Sequence, residues 1–170
     1  TCTEMGEVMD DLVFDDLEKR DGLFYRKFSD VPFTGKTTGK VQGELKDGKK
    51  EGSWGWYYDD GQFQKIETYK DGEKDGSCME FYDNGQLEFE ETRKDGELDG
   101  PYFSYYDNKQ LASLGTYKDG NRDGRCTCHH DNEQLKHKAT YQDGKVDRGW
   151  VQYFDKAQYD YQGQHITRTQ

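Results

Sequence analysis

Along most of the chain, short runs in which aromatic and β-branched side chains interleave with polar ones are separated by clusters of Asp, Asn and Gly. Ser53-Trp-Gly-Trp-Tyr-Tyr58 and Phe63-Gln-Lys-Ile-Glu-Thr-Tyr69 are two such runs, divided by Asp59-Asp-Gly-Gln62. Runs of this composition between turn residues predict β-strands. No copy of the pattern carries an apolar stripe at helical spacing, and the breaks come too often for helices. The pattern also recurs. Asp47-Gly48, Asp71-Gly72, Asp95-Gly96, Asp119-Gly120 and Asp143-Gly144 each follow the last by 24 residues. A fixed period marks one supersecondary unit stacked on copies of itself. Copies open at Lys46, Lys70, Lys94, Lys118 and Gln142, and each reads as a β-hairpin. Within one copy, Asp83-Asn84-Gly85-Gln86 predicts a tight type I′ turn, because Asn and Gly tolerate positive φ. The expected fold is all-β: an elongated antiparallel β-meander of stacked 24-residue hairpin repeats.

The period also divides the chain. Residues 46–159 hold the five repeats, and 21–45 read as a partial repeat that caps them. Residues 1–20 are acidic, with Val8, Leu12, Val13 and Leu17 at roughly helical spacing. They predict either a short helix blunting the open sheet edge or a disordered segment. Residues 160–170 leave the pattern, as a cap or tail does.

Strand alternation sorts side chains onto two faces. One face is expected to carry Trp54, Tyr58, Phe63 and Tyr69 in the first copy, then Cys78, Tyr82 and Leu87, then Tyr102, Tyr106, Leu111 and Tyr117, then Cys126, His130, Leu135 and Tyr141, and last Trp150, Phe154 and Tyr159. This is the predicted core row. The opposite face carries a second ladder, Tyr57, Phe81, Tyr105, His129 and Tyr153, among Gln64, Glu88, Glu90, Lys136 and Lys138. Stacked hairpins set these rings about 10 Å apart. Half-exposed rings with a polar surround suit recognition, which makes Tyr57, Phe81, Tyr105 and Tyr153 the candidate partner-binding residues. The rival reading is that the rings only stiffen the sheet.

Composition changes this picture in two ways. Only 31% of residues are apolar and mean hydropathy is −1.28, values that raise the question of disorder. The aromatic share of 15% argues for a folded thin sheet instead. Net charge is −11 with no Lys/Arg cluster, so nucleic acid and anionic lipid are poor partners and a basic protein is favoured. The alternative is that acidic turns simply keep the array soluble. No apolar run is long enough to span a membrane as a helix.

Catalytic signatures such as Gly-x-Ser-x-Gly, a P-loop or His-Glu-x-x-His are missing, so the reading is of a non-enzyme without a cofactor. The divergent fourth copy, Cys126-Thr-Cys-His-His130, is the one place suggesting chemistry. A turn at Asn132-Glu133 sets Cys128 across from His137, a pair suited to zinc, yet Cys126 and His130 lie about 13 Å apart along a strand. No metal is therefore expected. Cys78 and Cys126 fall about 20 Å apart, beyond disulfide reach. Thr1-Cys2-Thr3 lacks an initiator Met, which favours an exported, processed form with Cys2 open to lipidation; a trimmed boundary is the other reading.

The motifs Lys70-Asp-Gly-Glu-Lys-Asp-Gly76, Phe81-Tyr-Asp-Asn-Gly-Gln-Leu87 and Tyr102-Phe-Ser-Tyr-Tyr-Asp-Asn108 resemble the MORN-type repeat. With the lead-in Arg20-Asp-Gly-Leu-Phe-Tyr-Arg-Lys-Phe-Ser-Asp-Val-Pro-Phe-Thr-Gly35, residues 20–160 look more closely like the bacterial YwqK-type antitoxin proteins. That resemblance implies a non-catalytic protein-interaction scaffold, acting as an antitoxin or immunity protein that binds a basic toxin. An envelope-associated spacer without a single client and a Cys/His metal protein are the alternatives. The sequence departs from the pattern at Arg148, where other copies have Gly, and at Lys109, Glu133 and Ala157, which replace the hairpin Gly.

Overall fold

The computed structural model describes residues 12–154 and 157–160. Its elements are β-strands joined by tight turns, with one short 3-10 turn at Phe14–Asp16. The lead-in supplies β1 (Leu12–Val13), β2 (Leu17–Arg20), β3 (Leu23–Arg26), β4 (Gly35–Thr38) and β5 (Val41–Lys46). The array continues as β6 (Lys49–Tyr57), β7 (Phe63–Lys70), β8 (Glu73–Phe81), β9 (Leu87–Lys94), β10 (Glu97–Tyr105) and β11 (Leu111–Lys118). It ends with β12 (Asn121–Arg122), β13 (Gly124–His129), β14 (Leu135–Gln142), β15 (Lys145–Phe154) and β16 (Ala157–Asp160). From β4 onward each strand pairs antiparallel with the next, except that the short β12 pairs only with β11, which goes on to pair with β13. The result is a 14-stranded meander, roughly 60 Å long in the stacking direction at the usual strand spacing.

The helix considered for the N-terminal segment does not form where the chain is described, and neither is that part disordered. Residues 1–11 lie outside the described residues. From Leu12 the chain runs as strand, 3-10 turn and strand. Leu12 and Val13 pair in parallel with Thr37 and Thr38 and so cover the sheet edge by hydrogen bonding. β2 and β3 form a separate two-stranded sheet. Its Phe24, together with Phe14, packs on the buried cluster formed by Phe33 and Leu45 of the partial repeat and Trp54 of the first copy.

Two turn types alternate along the array. The Asp-Gly turns are the type I′ turns: both residues have positive φ, as at Asp71 (51°) and Gly72 (91°). Each also ties one repeat to the previous one. The amides of Gly72, Gly96, Gly120 and Gly144 donate to the carbonyls of Lys50, Lys74, Leu98 and Arg122 at 2.8–3.0 Å. The type I′ turn expected at Asn84-Gly85 is different. Only Gly85 has positive φ (78°), the Gly85 amide donates to the Tyr82 carbonyl at 2.9 Å, and the Tyr82 amide donates to the Gln86 carbonyl at 2.8 Å. That is a type I turn closed by one left-handed residue. Asn84 instead accepts from the Gln86 amide through Oδ1 at 3.0 Å, a bond repeated at Asp60, Asn108 and Asn132.

Lys109 (φ 71°) and Glu133 (φ 66°) occupy the left-handed position that Gly61 and Gly85 hold in the other copies. An L side chain there costs about 1–2 kcal/mol. Lys109→Gly and Glu133→Gly should each raise stability by about 1 kcal/mol, read from urea midpoints at unchanged m-value. No change at either site would show that these loops relax without strain. The other departure is solved by a shift. With Arg148 at the usual glycine position, the next residue, Gly149, takes the positive φ (69°).

Candidate functional site

The face assignment made from alternation fails at each hairpin end, for one repeated reason. Trp56 pairs with Lys65 and Tyr57 with Phe63, which leaves Gln64 as an extra residue. The same bulge leaves Glu88, Ala112 and Lys136 unmatched. One inserted residue moves every following side chain to the other face. Phe63, Leu87, Leu111 and Leu135, expected in the core row, therefore sit opposite Tyr57, Phe81, Tyr105 and His129 on the ladder face. Tyr57 and Phe63 rings lie 4.6 Å apart and Phe63 and Phe81 rings 6.4 Å apart. Phe63 is 41% exposed, and Tyr57, Phe81, Leu87, Tyr105 and Leu111 are half-buried. A groove of about 420 Å³ runs beside this strip, with Tyr57, Phe63 and Ile66 against the buried backbone of Gly55. Tyr153 lies in β15, paired with Gln158.

Tyr58, Tyr82 and Tyr106 also leave the expected core row. Their hydroxyls donate to the carbonyls of Phe81, Tyr105 and His129 at 2.8–2.9 Å, 23 residues further along the chain. They stitch one hairpin end to the next. His130, the residue in the equivalent place in the divergent copy, is exposed.

The opposite face has a polar centre that alternation alone did not reveal. Trp54 pairs with Glu67, Glu67 with Cys78, Cys78 with Glu91, and Glu91 with Tyr102, so two glutamates stand in the core column. Glu67 is 3% exposed and Glu91 8%. Both are paired: Glu67 Oε1 accepts from Lys74 at 2.6 Å and lies 3.4 Å from Lys65, and Glu91 accepts from Arg93 at 2.6 Å. Tyr69 donates to the second Glu67 oxygen at 2.5 Å. Burial pushes the Glu67 carboxyl up, but Lys74, Tyr69 and Lys65 outweigh it and hold the group below the usual carboxylate range. Burial, with the Glu67 charge, pushes the Tyr69 phenol up. Gly115 and Ala139 fill the same column in the later copies, facing Tyr102 and Cys126. The sequence shows only that glutamate recurs at 67 and 91, with Lys65 and Arg93 two residues away; it does not set Lys74 beside Glu67.

At the covered end of this face, the Lys50 amine lies over Trp54, Trp56 and Tyr69 at 4.4–4.8 Å and over Phe14 at 5.4 Å. Burial, reinforced by Lys65, Lys19 and Lys74 against the pull of Glu67, lowers its pKa to about 8. The four ring faces favour the charged form and oppose that shift. Lys50 thus pins the lead-in to the first copy. Further along, Phe89 stacks on Tyr102 at 6.3 Å, and Tyr117 meets Tyr102 edge-on at 6.0 Å.

Cys128 does pair with His137 across β13–β14. Burial raises the Cys128 thiol and lowers the His137 imidazole, the second helped by Arg122 and Lys136. The protonated thiol is a poor metal ligand. Among the described residues, no three His, Cys, Asp or Glu side chains gather closely enough to hold a metal ion. Cys78, Cys126 and Cys128 are free thiols. No helix among the described residues is long and apolar enough to cross a membrane.

The hairpins from β6 to β11 share one register, one pair of turns and one set of inter-repeat bonds. Residues 50–71, 74–95 and 98–119 match the MORN repeat variant. Repeats of this type are generally found in scaffolds that meet proteins or membranes, and they are generally non-enzymatic. The MORN match ends before the divergent copy with Cys126 and Cys128. No curated protein matches the chain significantly. Within the three MORN segments the phase is constant: each opens two residues after an Asp-Gly turn, at Lys50, Lys74 and Leu98.

Proposed function

We propose that this protein is a non-catalytic protein-interaction scaffold whose recognition surface is the strip on the ladder face. Tyr57, Phe81 and Tyr105 are its anchors, with Tyr153 as their counterpart by repeat position. The supporting observation is the bulge, because it adds an apolar side chain opposite each ring: Phe63, Leu87 and Leu111. Half-exposed apolar pairs then recur along the sheet about every 10 Å. In a chain that is 31% apolar, this is apolar area spent outside the buried cluster. The preferred partner is a basic protein. Exposed Asp83, Asp107 and Asp131 border the strip at the hairpin ends, in a chain of net charge −11. The narrower reading, an immunity protein or antitoxin that caps a basic toxin, rests on the resemblance of residues 20–160 described above.

The test is a Phe81→Ser/Tyr105→Ser double variant, compared with the parent in pull-down from native extract and in thermal melting. Partner capture should fall tenfold or more, since central aromatic anchors commonly carry about 2 kcal/mol each. The melting temperature should drop by only a few degrees, because both rings are half-buried. The captured protein should be basic by mass spectrometry. A variant that melts far below the parent would make the strip a structural element. One that melts normally and keeps every partner would place recognition elsewhere. Tyr106→Ser serves as the control, and its expected effect is smaller than a core position implies: loss of one hydrogen bond to His129, about 1 kcal/mol.

A further inference from the structure

The loop between β3 and β4 carries the most exposed apolar side chains of the described chain. Phe28 is 104% exposed and Val31 72%. Phe28 also has φ 64°, a left-handed conformation that a bulky L residue rarely adopts. The loop gains nothing internal from this arrangement, because the ring touches no core. Other contacts fix it in place. The Ser29 amide donates to the Arg26 carbonyl at 3.1 Å, and the Val31 amide to Ser29 Oγ at 3.1 Å. The Arg20 guanidinium, 4.1 Å over the Tyr25 ring, donates to the Ser29 carbonyl and to Asp30, the latter at 3.3 Å. Tyr25 and Pro32 close the base of the loop as a β-bridge.

From this geometry we infer that Phe28 and Val31 form a preset apolar anchor that enters an apolar pocket of a partner protein. Backbone strain held by outside contacts is retained where it serves a site. A loop already fixed in its bound shape loses little entropy on binding. The charge around the tip selects a protein over a membrane. Lys27 lies 3.5 Å from Asp16, Arg20 pairs with Asp30 and Arg26 lies 5.1 Å over the Phe33 ring, while Asp15, Glu18 and Asp21 add negative charge on the same lead-in, so the tip carries no net basic patch. Two apolar side chains without a basic patch give no stable hold on lipid, and a chain of −11 is repelled by anionic bilayers. The same charge opposes a second copy of the chain as occupant. This inference stands apart from the ladder-face reading, since it uses none of the same residues.

The experiment places a photoreactive benzoylphenylalanine at position 28, and at exposed Asp95 as control, and irradiates each protein in native extract. A discrete protein adduct at 28 that is missing at 95 is expected. The adduct is identified by mass spectrometry, and its purified partner is titrated with Phe28→Gly, Val31→Ser and Phe81→Ser/Tyr105→Ser. Phe28→Gly should weaken binding tenfold or more while melting at or above the parent temperature, because glycine adopts φ 64° without strain. The proposal is overturned if no adduct forms at 28 or if the adduct is a second copy of this chain. It is equally overturned if Phe28→Gly binds as the parent does or melts several degrees lower. Phe28-dependent binding to phosphatidylserine/phosphatidylcholine vesicles would assign the loop to a membrane and overturn it too. Loss of binding by the Phe81/Tyr105 variant alone gives that partner to the ladder face and removes it from Phe28.

Discussion

Trp54→Ala is expected to remove about 3–5 kcal/mol of stability, the largest effect of any single substitution in this chain. The indole is fully buried. It meets Phe14 edge-on at 5.4 Å, Trp56 at 6.2 Å and Tyr69 at 6.5 Å, with the Lys50 amine 4.5 Å above it. Together with Lys50 it joins the lead-in to the first repeat. Its other surface lies flat on the Gly43 backbone, where an added Cβ would stand 2.2 Å from Cδ2 and 2.4 Å from Cε2. The ring is wedged and has nowhere to go. Gly43→Ala should therefore cost about 2–3 kcal/mol by overpacking. The pair gives a decisive cycle: alanine at 43 should be nearly neutral once Trp54 is alanine, because the clash and the ring vanish together. Urea unfolding of the four proteins checks it. Strict additivity would mean that the two sites do not share this contact. Gly43 also explains a gap in the repeat, since it occupies the column filled by Glu67 and Glu91 in the next copies.

Glu67→Gln is the second, with an expected cost of about 2 kcal/mol at pH 7. The carboxylate is buried yet holds Lys74, Lys65 and Tyr69, so an amide loses the ionic part of three contacts. Both lysine side chains are about one-third exposed (32% and 34%) and return to water, which keeps the loss below that of a fully buried pair. The pH dependence follows from the lowered carboxyl pKa. A carboxyl whose folded pKa lies below its unfolded value contributes stability above the unfolded pKa of 4.5. That contribution is lost as pH falls through the folded pKa. The gap in urea midpoint between parent and variant should accordingly be full at pH 7 and shrink steadily below about pH 4.5. A gap that persists undiminished at pH 3 would assign the cost to packing and not to charge.

Only one of these two effects sits at a position that the sequence made visible. Trp54 was legible as core because strand alternation puts its indole on the predicted core face. Glu67 was not, because a carboxylate on a strand reads as solvated until its neighbours are known. The ion network becomes apparent only when register sets Lys74 beside it from the next strand. The same holds for Tyr58, Tyr82 and Tyr106, whose hydroxyls reach carbonyls of the following repeat.

By itself the sequence determined the unit and its stacking. A 24-residue period with Asp-Gly at fixed phase dictates hairpins, because the two residues that accept positive φ can only be where the strands reverse. It also determined that Tyr57, Phe81 and Tyr105 share a face, since residues at one phase of a strict repeat occupy equivalent places. Tertiary structure decided which other residues join them. Pairing across each hairpin leaves residues 64, 88, 112 and 136 unmatched, and that single extra residue moves Phe63, Leu87, Leu111 and Leu135 from the core side to the ladder side. Alternation counts residues along one strand, whereas a bulge exists only between two. Tertiary structure likewise decided that strands β1 to β3 and the 3-10 turn cover the Trp54 end, through a parallel pairing and ring contacts between segments far apart in the sequence.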